Sequence, residues 1–219
     1  MKIGIIGAGN IGATLARRVS SLGHEGSVPN SRGPETLTDL AQDTGAEPKR
    51  VTDIPVGADD VVVMIPMRNL PGLPRDLFAT TPELIVIDTC NYYPRQRDGR
   101  IGPIENGLTE SRWVEQQIGH PVVKAFNNIY AAHLMEKGLP GGAPARIALP
   151  VAGDDARAKA VVMDLVEELG FDAVDGGTID ESWRQQPGTP VYAADFDREG
   201  VARALAIAPP ERPEEFLAA

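Results

Sequence analysis

Hydrophobic residues along the chain fall into short continuous runs bounded by turn-forming residues. The first run is KIGIIGAG, and ADDVVVMIPM, LIVIDTCNYY, HPVVKAFNN, ARIALPVAGDD and FDAVDGG follow it. Runs without polar alternation are typical of strands buried on both faces of a parallel sheet. Stretches of helical periodicity, IGATLARRVSSLGH, PETLTDLAQDTG and DARAKAVVMDLVEELG, lie between several of these runs. The alternation predicts βαβ units and an α/β fold with a doubly wound, mostly parallel sheet.

The chain is predicted to form a single domain over residues 1–219, since this length supports one substantial core. The core covers about residues 1–130, and a C-terminal extension at about 145–219 adds strands and a short closing segment. The segments 93–110 and 138–144 are rich in Gly, Pro and polar residues, so we expect loops there. The Pro-rich tail and an apolar helix at 201–207 are compatible with a homodimer.

A glycine-rich turn joins the first predicted strand to the first predicted helix. It reads Gly7-Ala8-Gly9-Asn10-Ile11-Gly12, which is a dinucleotide-binding fingerprint in its strand–turn–helix context. Gly7 permits the tight turn, Gly9 lets the backbone approach a pyrophosphate, and Gly12 allows helix and strand to pack closely. Unpaired N–H groups at the helix start would bind the phosphates. The alternative is a glycine-rich turn that binds nothing.

The end of the second predicted strand, which runs through about Glu25 to Pro29, determines which nucleotide is expected. A carboxylate there binds the ribose hydroxyls of NAD. This chain instead has Asn30, Ser31 and Arg32, which offer neutral donors and a guanidinium to a 2′-phosphate. The pattern predicts NADP(H), unless Arg32 is a solvated loop charge and Asn30 a turn residue.

Four stretches of the chain resemble a known family. They are IGIIGAGNIGATLARR, NSRGPETL, VVKAFNNIYAAHL and LPVAGDDARAK, and together they resemble NADP-dependent oxidoreductases related to the 8-hydroxy-5-deazaflavin (coenzyme F-420):NADP oxidoreductases. The resemblance extends to about Gly177. It implies that residues 7–12 hold the pyrophosphate, that Ser31 and Arg32 hold the 2′-phosphate, and that residues 65–67, Ile65, Pro66 and Met67, border the adenosine and ribose.

The C-terminal segment departs from the deazaflavin enzymes. The stretch from Trp183 to Tyr192 is unlike a long apolar closing helix, and it resembles the closing motif of an uncharacterised subgroup of predicted dinucleotide-binding enzymes. The resemblance therefore implies NADP(H) as cofactor and a deazaflavin as the leading co-substrate, while the identity of the acceptor stays open.

Candidate residues for the nicotinamide end follow the strand VVKAF. Ala125 and Asn127 are assigned to the cofactor, and Asn127 and Asn128 offer hydrogen bonds to a carboxamide or an acceptor carbonyl. The alternative is that these amides cap a helix that starts at Ile129. His133, on that helix, is the candidate proton donor, and Tyr130 is positioned to stack nearby.

Lys124 lies within the same otherwise apolar strand. Its ammonium either reaches a partner near the site or belongs to a half-exposed strand, and we expect the half-exposed strand.

Composition narrows the class of protein further. The formal net charge of −10 argues against broad attraction to nucleic acid or to anionic membranes, and no apolar run approaches the about 20 residues that span a bilayer. One cysteine, Cys90, excludes an intrachain disulfide, and the N-terminus lacks the features of a signal peptide, so we expect a cytoplasmic protein. No metal site is assigned, because a helix cap explains Asp154 and Asp155.

Three functions remain open at this level. The first is an NADP(H)-dependent oxidoreductase that transfers hydride to or from a small acceptor, with a deazaflavin as the leading candidate. Such a reaction needs little beyond apposition of the two rings and exclusion of water. The second is an NADPH-dependent imine or ketone reductase, which would need a proton donor such as His133 or Tyr130. The third is a non-catalytic NADPH-binding sensor whose QQPGTPVY segment blocks the acceptor space.

Overall fold

A computed structural model describes residues 1–7, 9–29, 41–42 and 44–219. Within these residues, six parallel strands form one sheet in the order β3-β2-β1-β4-β5-β6. The strands are β1 (Lys2–Ile6), β2 (Glu25–Pro29), β3 (Glu47–Lys49), β4 (Asp60–Val63), β5 (Ile85–Asp88) and β6 (Val123–Lys124). This is the strand order of the Rossmann fold, so the predicted doubly wound parallel sheet is confirmed.

A second parallel pair extends the sheet beyond β6, as the sequence predicts. Strands β7 (Ala148–Val151) and β8 (Asp172–Asp175) pair with each other. An antiparallel bridge joins Lys124 to Ala152, with reciprocal N···O distances of 2.7 and 3.0 Å. The C-terminal third is therefore hydrogen-bonded to the edge of the main sheet.

Helices cover both faces of the sheet. They are α1 (Asn10–Ser21), α2 (Gly102–Glu105), α3 (Glu110–Ile118), α4 (Ala131–Glu136), α5 (Ala156–Glu168) and α6 (Arg198–Ala206). Short 3₁₀ helices lie at Val51–Asp53, Met67–Gly72, Ile179–Gln185 and Glu214–Phe216, and a π-helical turn lies at Pro94–Asp98. One apolar core joins α1, α4 and α5 to the sheet, and a second core on the opposite face includes Trp113 and Val114 of α3.

Several predicted boundaries need correction. Residues 93–110 form a π-helical turn and α2 rather than a continuous loop. The C-terminal helix begins at Arg198 because the side chain of Asp197 caps it, accepting from Gly200 N at 2.8 Å. Asp155 caps α5 in the same way, as predicted. Most of the helix predicted from Pro34 lies outside the described residues.

A buried carboxyl group at the amino-terminal edge of the sheet makes stability depend on pH. Asp60, the first residue of β4, is 1% exposed. Burial, followed by the charge of Asp59, raises its pKa from 3.8 to about 6. The folded state therefore binds this proton more tightly than the unfolded chain. The resulting stabilisation is complete below about pH 4 and is lost as the pH rises through about 6.

The change in the free energy of unfolding caused by Asp60→Asn is expected to be more stabilising at pH 8, where the buried carboxylate of the wild type is charged, than at pH 4. The difference between the two pH values is up to about 3 kcal/mol, because two pKa units correspond to about 1.4 kcal/mol each. Urea unfolding of wild type and variant at both pH values measures this difference. Asp76→Asn, at an exposed carboxylate, is the control. A difference between wild type and Asp60→Asn that is independent of pH would contradict the prediction.

Candidate functional site

The glycine fingerprint separates into two packing positions and one open position. A Cβ on Gly7, whose φ is +132°, would lie 2.2 Å from the carbonyl oxygen of Met64. A Cβ on Gly12 would lie 1.9 Å from the carbonyl oxygen of Gly7. A Cβ on Gly9 would meet no atom within 4 Å. Packing thus requires glycine at positions 7 and 12, whereas Gly9 leaves the backbone open to a ligand, as pyrophosphate binding requires.

The start of α1 suits an anion. Gly9 is its N-cap residue, no side chain caps it, and its first turn contains no acidic residue. Asn10, Ile11 and Gly12 form that first turn. N–H groups left without intrahelical partners and the positive end of the helix dipole both favour a phosphate. The residues present therefore fit the pyrophosphate of a dinucleotide.

A cleft of about 580 Å³ opens beside this turn, at the carboxyl ends of β1, β2 and β4. Its lining comprises Ile6, Gly7, Pro29, Val51, Ile65, Arg68, Asn69, Gly72, Leu73 and Pro74. Open α/β sheets bind ligands at this edge, where the strand order reverses. Among these described lining residues there is no carboxylate, and Arg68 contributes a positive charge. The cleft is therefore suited to an anionic nucleotide.

The residues predicted to flank the adenosine have different positions. Ile65 lines the cleft, and Pro66 is the N-cap of the 3₁₀ helix that begins at Met67. The Met67 side chain is fully buried in the second core. Asn30, Ser31 and Arg32 lie outside the described residues.

Asn127 holds the C-terminal segment against the end of β6. Its Nδ2 donates to Asn91 Oδ1 at 3.1 Å and to the Gln185 carbonyl at 2.7 Å, and its Oδ1 accepts from Gln185 Nε2 at 3.0 Å. Asn127 is 2% exposed, and both N–H groups of its side-chain amide donate to protein acceptors. A nicotinamide contact through this amide would have to replace one of these bonds.

Asn128 is placed differently. It is 1% exposed, its Nδ2 is 3.4 Å from the Val191 carbonyl, and its Oδ1 has no hydrogen-bond partner among the described residues. Buried polar atoms are normally hydrogen-bonded, so this oxygen is available to accept from a ligand or from water. The expected helix start at Ile129 is wrong: α4 begins at Ala131, and no side chain caps it. Ala125 is fully buried at the end of β6.

His133 hydrogen-bonds to an aspartate of the C-terminal segment. Its Nδ1 is 2.8 Å from Asp195 Oδ1, and Lys137 Nζ is 2.5 Å from the other carboxylate oxygen. Partial burial raises the pKa of Asp195, but hydrogen bonds from Lys137 and His133 outweigh it and leave the pKa below its usual value. The ring of Tyr130, which is 56% exposed, packs edge-on against the His133 ring.

Two tyrosines that the sequence analysis missed meet at the carboxyl end of β5. The hydroxyls of Tyr93 and Tyr192 hydrogen-bond to each other, and Asn91 Nδ2 lies 3.4 Å from the Tyr192 hydroxyl. Burial, followed by the hydrogen bond to Tyr93, raises the pKa of Tyr192 far above its usual range. The two residues are 99 positions apart, so no local pattern links them.

Lys124 is buried, and the expectation of a half-exposed strand is wrong. Its ammonium lies 3.1 Å from Asp88 Oδ2 and also donates to the Cys90 carbonyl. Asp88 further accepts from Cys90 N at 2.8 Å and from Ser111 Oγ at 2.7 Å. The charge is tolerated because both members of the pair are hydrogen-bonded.

Neither a metal-binding cluster nor a membrane-spanning helix is present in the described part of the chain. No three His, Cys, Asp or Glu side chains are arranged to hold a metal ion within the ranges described above. No helix in the same ranges is long and apolar enough to cross a membrane.

The fold, the fingerprint and the adjacent cleft define a Rossmann-type dinucleotide-binding protein. Residues 2–92 match the family model described as NADP oxidoreductase coenzyme F420-dependent. The chain belongs to this family of NADP-dependent oxidoreductases, which are related to the coenzyme F420:NADP oxidoreductases.

Similar proteins cover different parts of the chain. A hypothetical protein of Sinorhizobium meliloti, SMa0349, is 30% identical with a TM-score of 0.74, over 90% of this chain and 95% of that one. A candidate F420-dependent NADP reductase from Arthrobacter sp. FB24 is 25% identical with a TM-score of 0.67, over 83% and 87% of the two chains. YjhV of Escherichia coli (strain K12) is 49% identical over 70 residues, or 32% of this chain and 51% of that relative. The chain thus spans about half the length of this curated relative.

Proposed function

We propose that the protein transfers hydride between NADP(H) and a small planar acceptor, and that a deazaflavin is the first acceptor to test. The observation that carries the proposal is the open space at Gly9 beside the uncapped start of α1. This is the geometry that a pyrophosphate requires. We also propose that the protein is cytoplasmic and that it forms a homodimer.

Each part of the cofactor has candidate partners in this chain. Residues 7–12 would hold the pyrophosphate, and Ile65 would contact the adenosine in the cleft. Ser31 and Arg32 are proposed for the 2′-phosphate. In the sequence they come two and three residues after Pro29, which lines the cleft. Bound NADPH supplies a hydride at its nicotinamide ring.

The carboxyl ends of β5 and β6 offer the remaining groups. Asn128 Oδ1 is a buried acceptor with no partner in the described part of the chain, and we propose that it accepts from the nicotinamide carboxamide. Tyr192 comes from the C-terminal segment, which hydrogen bonds of Asn127 and Asn128 hold in place. We propose that this segment forms one wall of the acceptor site, where it excludes water from the hydride-transfer path.

Titration with NADPH and NADH tests the cofactor assignment. The wild type is expected to prefer NADPH, and Arg32→Ala is expected to weaken NADPH binding at least tenfold, which is about 1.4 kcal/mol. NADH binding should stay within twofold, because NADH has no 2′-phosphate. Arg157→Ala, at an exposed position of α5, controls for the loss of one positive charge. Equal affinities for both nucleotides would refute the assignment.

An imine or ketone reductase is the second candidate, and the Tyr93–Tyr192 hydroxyl pair is the observation that favours it. Reduction of C=N or C=O needs a proton donor, which typically contributes about 10²- to 10⁴-fold to the rate. With a deazaflavin as acceptor, Tyr192→Phe is expected to lower kcat less than tenfold. With a cyclic imine as acceptor, the same variant is expected to lower kcat at least 100-fold and to alter the pH profile.

Stopped-flow measurement of NADPH oxidation distinguishes these cases. Tyr130→Phe, which removes the hydroxyl of the exposed tyrosine that is the alternative donor, shows whether that hydroxyl contributes instead. Turnover of the deazaflavin alone supports the leading proposal, whereas turnover of the imine that collapses in Tyr192→Phe supports the reductase. NADPH binding without turnover of either acceptor would support the non-catalytic sensor, in which the segment at 185–192 covers the acceptor space.

A further inference from the structure

A second cation lies at the strand ends that flank the predicted 2′-phosphate site. Strands β2 and β3 are parallel, and Val28 is paired with Pro48 and Pro29 with Lys49. Arg50 is the next residue of the chain after that pair, as Asn30 is on the β2 side. Adjacent strands are about 4.8 Å apart. The backbone of Arg50 therefore lies at the carboxyl edge of the sheet, next to the end of β2, which Asn30 to Arg32 follow in the sequence.

Arg50 is adjacent in the chain to a residue that lines the nucleotide cleft. Its neighbour Val51 lines the cleft together with Pro29 and Gly7. The first turn of the chain after β3 is a 3₁₀ helix with Arg50 as its N-cap residue, so the backbone changes direction at this residue. Arg50 is thereby held beside the cleft by the β3 ladder on one side and by this turn on the other.

The guanidinium of Arg50 is available to a ligand. Arg50 is exposed, and it forms no ion pair and no side-chain hydrogen bond with any other described residue. The neighbouring Lys49, by contrast, is 3.2 Å from the carboxylate of Glu47. No described residue that lines the cleft carries a carboxylate, so none of them would repel an anion there.

We infer that Arg50 is a second determinant of NADP(H) specificity, and that its guanidinium binds the adenosine 2′-phosphate from the β3 side. This inference rests on the proposed function. A guanidinium matches the geometry of a phosphate through paired N–H···O bonds, and two of them neutralise its double charge. The family resemblance assigns the 2′-phosphate only to residues that follow β2.

Binding of four nucleotides to Arg50→Ala tests the inference without any turnover. NADPH and adenosine 2′,5′-bisphosphate carry the 2′-phosphate, and NADH and 5′-AMP lack it. The dissociation constants of the first two are expected to rise at least tenfold, and those of the other two to change less than twofold. The dissociation constants of Arg50→Lys for NADPH and adenosine 2′,5′-bisphosphate are expected to lie between those of wild type and Arg50→Ala, because lysine keeps the charge but not the paired N–H groups.

Controls separate this contact from charge and stability effects. Arg157→Ala removes the same charge from an exposed helix position and is expected to leave all four affinities within twofold. Thermal unfolding of Arg50→Ala is expected to match wild type, because the side chain is exposed and pairs with none of the residues that the structure describes. In Arg32→Ala/Arg50→Ala, the preference for NADPH over NADH is expected to disappear.

The outcomes distinguish the inference from the proposed function. Selectivity for NADPH over NADH that is the same in Arg50→Ala as in the wild type would overturn the inference and leave the proposed function intact. Equal weakening of all four nucleotides by Arg50→Ala would also overturn it, since the effect would then not involve the 2′-phosphate. A wild type that binds neither NADPH nor NADH would overturn both.

Discussion

Gly12→Ala is expected to destabilise the fold and to abolish measurable nucleotide binding. The added Cβ would lie 1.9 Å from the carbonyl oxygen and 3.0 Å from the carbonyl carbon of Gly7. Both are backbone atoms of the turn after β1, so relief requires α1 to move away from the sheet. Such overpacking typically costs about 1–3 kcal/mol and occasionally more. The same displacement removes the N–H groups of α1 from the phosphate site, and the affinity for NADPH should fall at least 100-fold.

Gly9→Ala is the matched comparison within the same turn. Gly9 has φ −74° and ψ −178°, which alanine adopts without strain, and its Cβ would meet no atom within 4 Å. The free energy of unfolding is therefore expected to stay within about 0.5 kcal/mol of wild type. NADPH affinity should nevertheless fall at least tenfold, because the methyl group takes the space that the pyrophosphate needs.

Urea unfolding and NADPH titration of both variants measure these effects. Loss of binding in Gly9→Ala without loss of stability would place the ligand at this turn. Unchanged binding in Gly9→Ala would show that the open space beside α1 is not the pyrophosphate site. A Gly12→Ala protein as stable as wild type would contradict the packing described here.

Asp88→Asn is expected to lower the free energy of unfolding by about 3–5 kcal/mol. Removing one partner of a buried ion pair leaves the other charge uncompensated in the interior. In this variant the ammonium of Lys124, a residue that is 1% exposed, would lose its carboxylate and keep only uncharged acceptors such as the Cys90 carbonyl. Lys124→Met is expected to cost less, because the Asp88 carboxylate keeps the hydrogen bonds from Cys90 N and Ser111 Oγ.

A double-mutant cycle measures the coupling of this pair. Asp88→Asn/Lys124→Met is expected to be less destabilising than the sum of the two single variants, because neither charge is then left alone. Arg203→Ala, which breaks the exposed pair with Glu199 at 3.3 Å, should cost less than about 0.5 kcal/mol. Additive effects of the Asp88 and Lys124 changes would show that the two charges do not interact.

The ion pair also supports the candidate acceptor site. It bridges the ends of β5 and β6, and Lys124 donates to the carbonyl of Cys90, which immediately precedes Asn91. Asn91 in turn donates to the Asn127 carbonyl at 2.8 Å and lies beside the Tyr192 hydroxyl. Variants of the pair that still fold are therefore expected to lose affinity for the acceptor more than for NADPH.

Local patterns were sufficient for the central part of the fold. The predicted second strand, Glu25 to Pro29, has the observed bounds, and the predicted first helix overlaps α1. Both are defined by residues close together in sequence, namely apolar runs, turn glycines and the fingerprint. Strand β3 escaped prediction because it contains only three residues, one of them a proline, and none is buried. Helix α3 escaped it because its first residue was taken as the end of a loop, although Thr109 caps it.

Lys124 shows the limit of local reasoning at a single residue. A charged side chain in an apolar strand is compatible with exposure or with a buried partner, and the partner, Asp88, lies 36 residues away. Its presence is decided by the parallel pairing of β5 with β6, in which Asp88 and Lys124 are register partners.

The sequence by itself determined that this chain forms a Rossmann-type sheet with a dinucleotide fingerprint, because strand burial, helix periodicity and turn glycines are encoded by neighbouring residues. Only the tertiary structure decided which side chains meet at the carboxyl ends of β5 and β6. There Asn127 is engaged by Gln185 and the Tyr93 hydroxyl by Tyr192. These contacts depend on where the C-terminal segment packs, and hydrogen-bonding groups brought together over such separations leave no periodic signal in the chain.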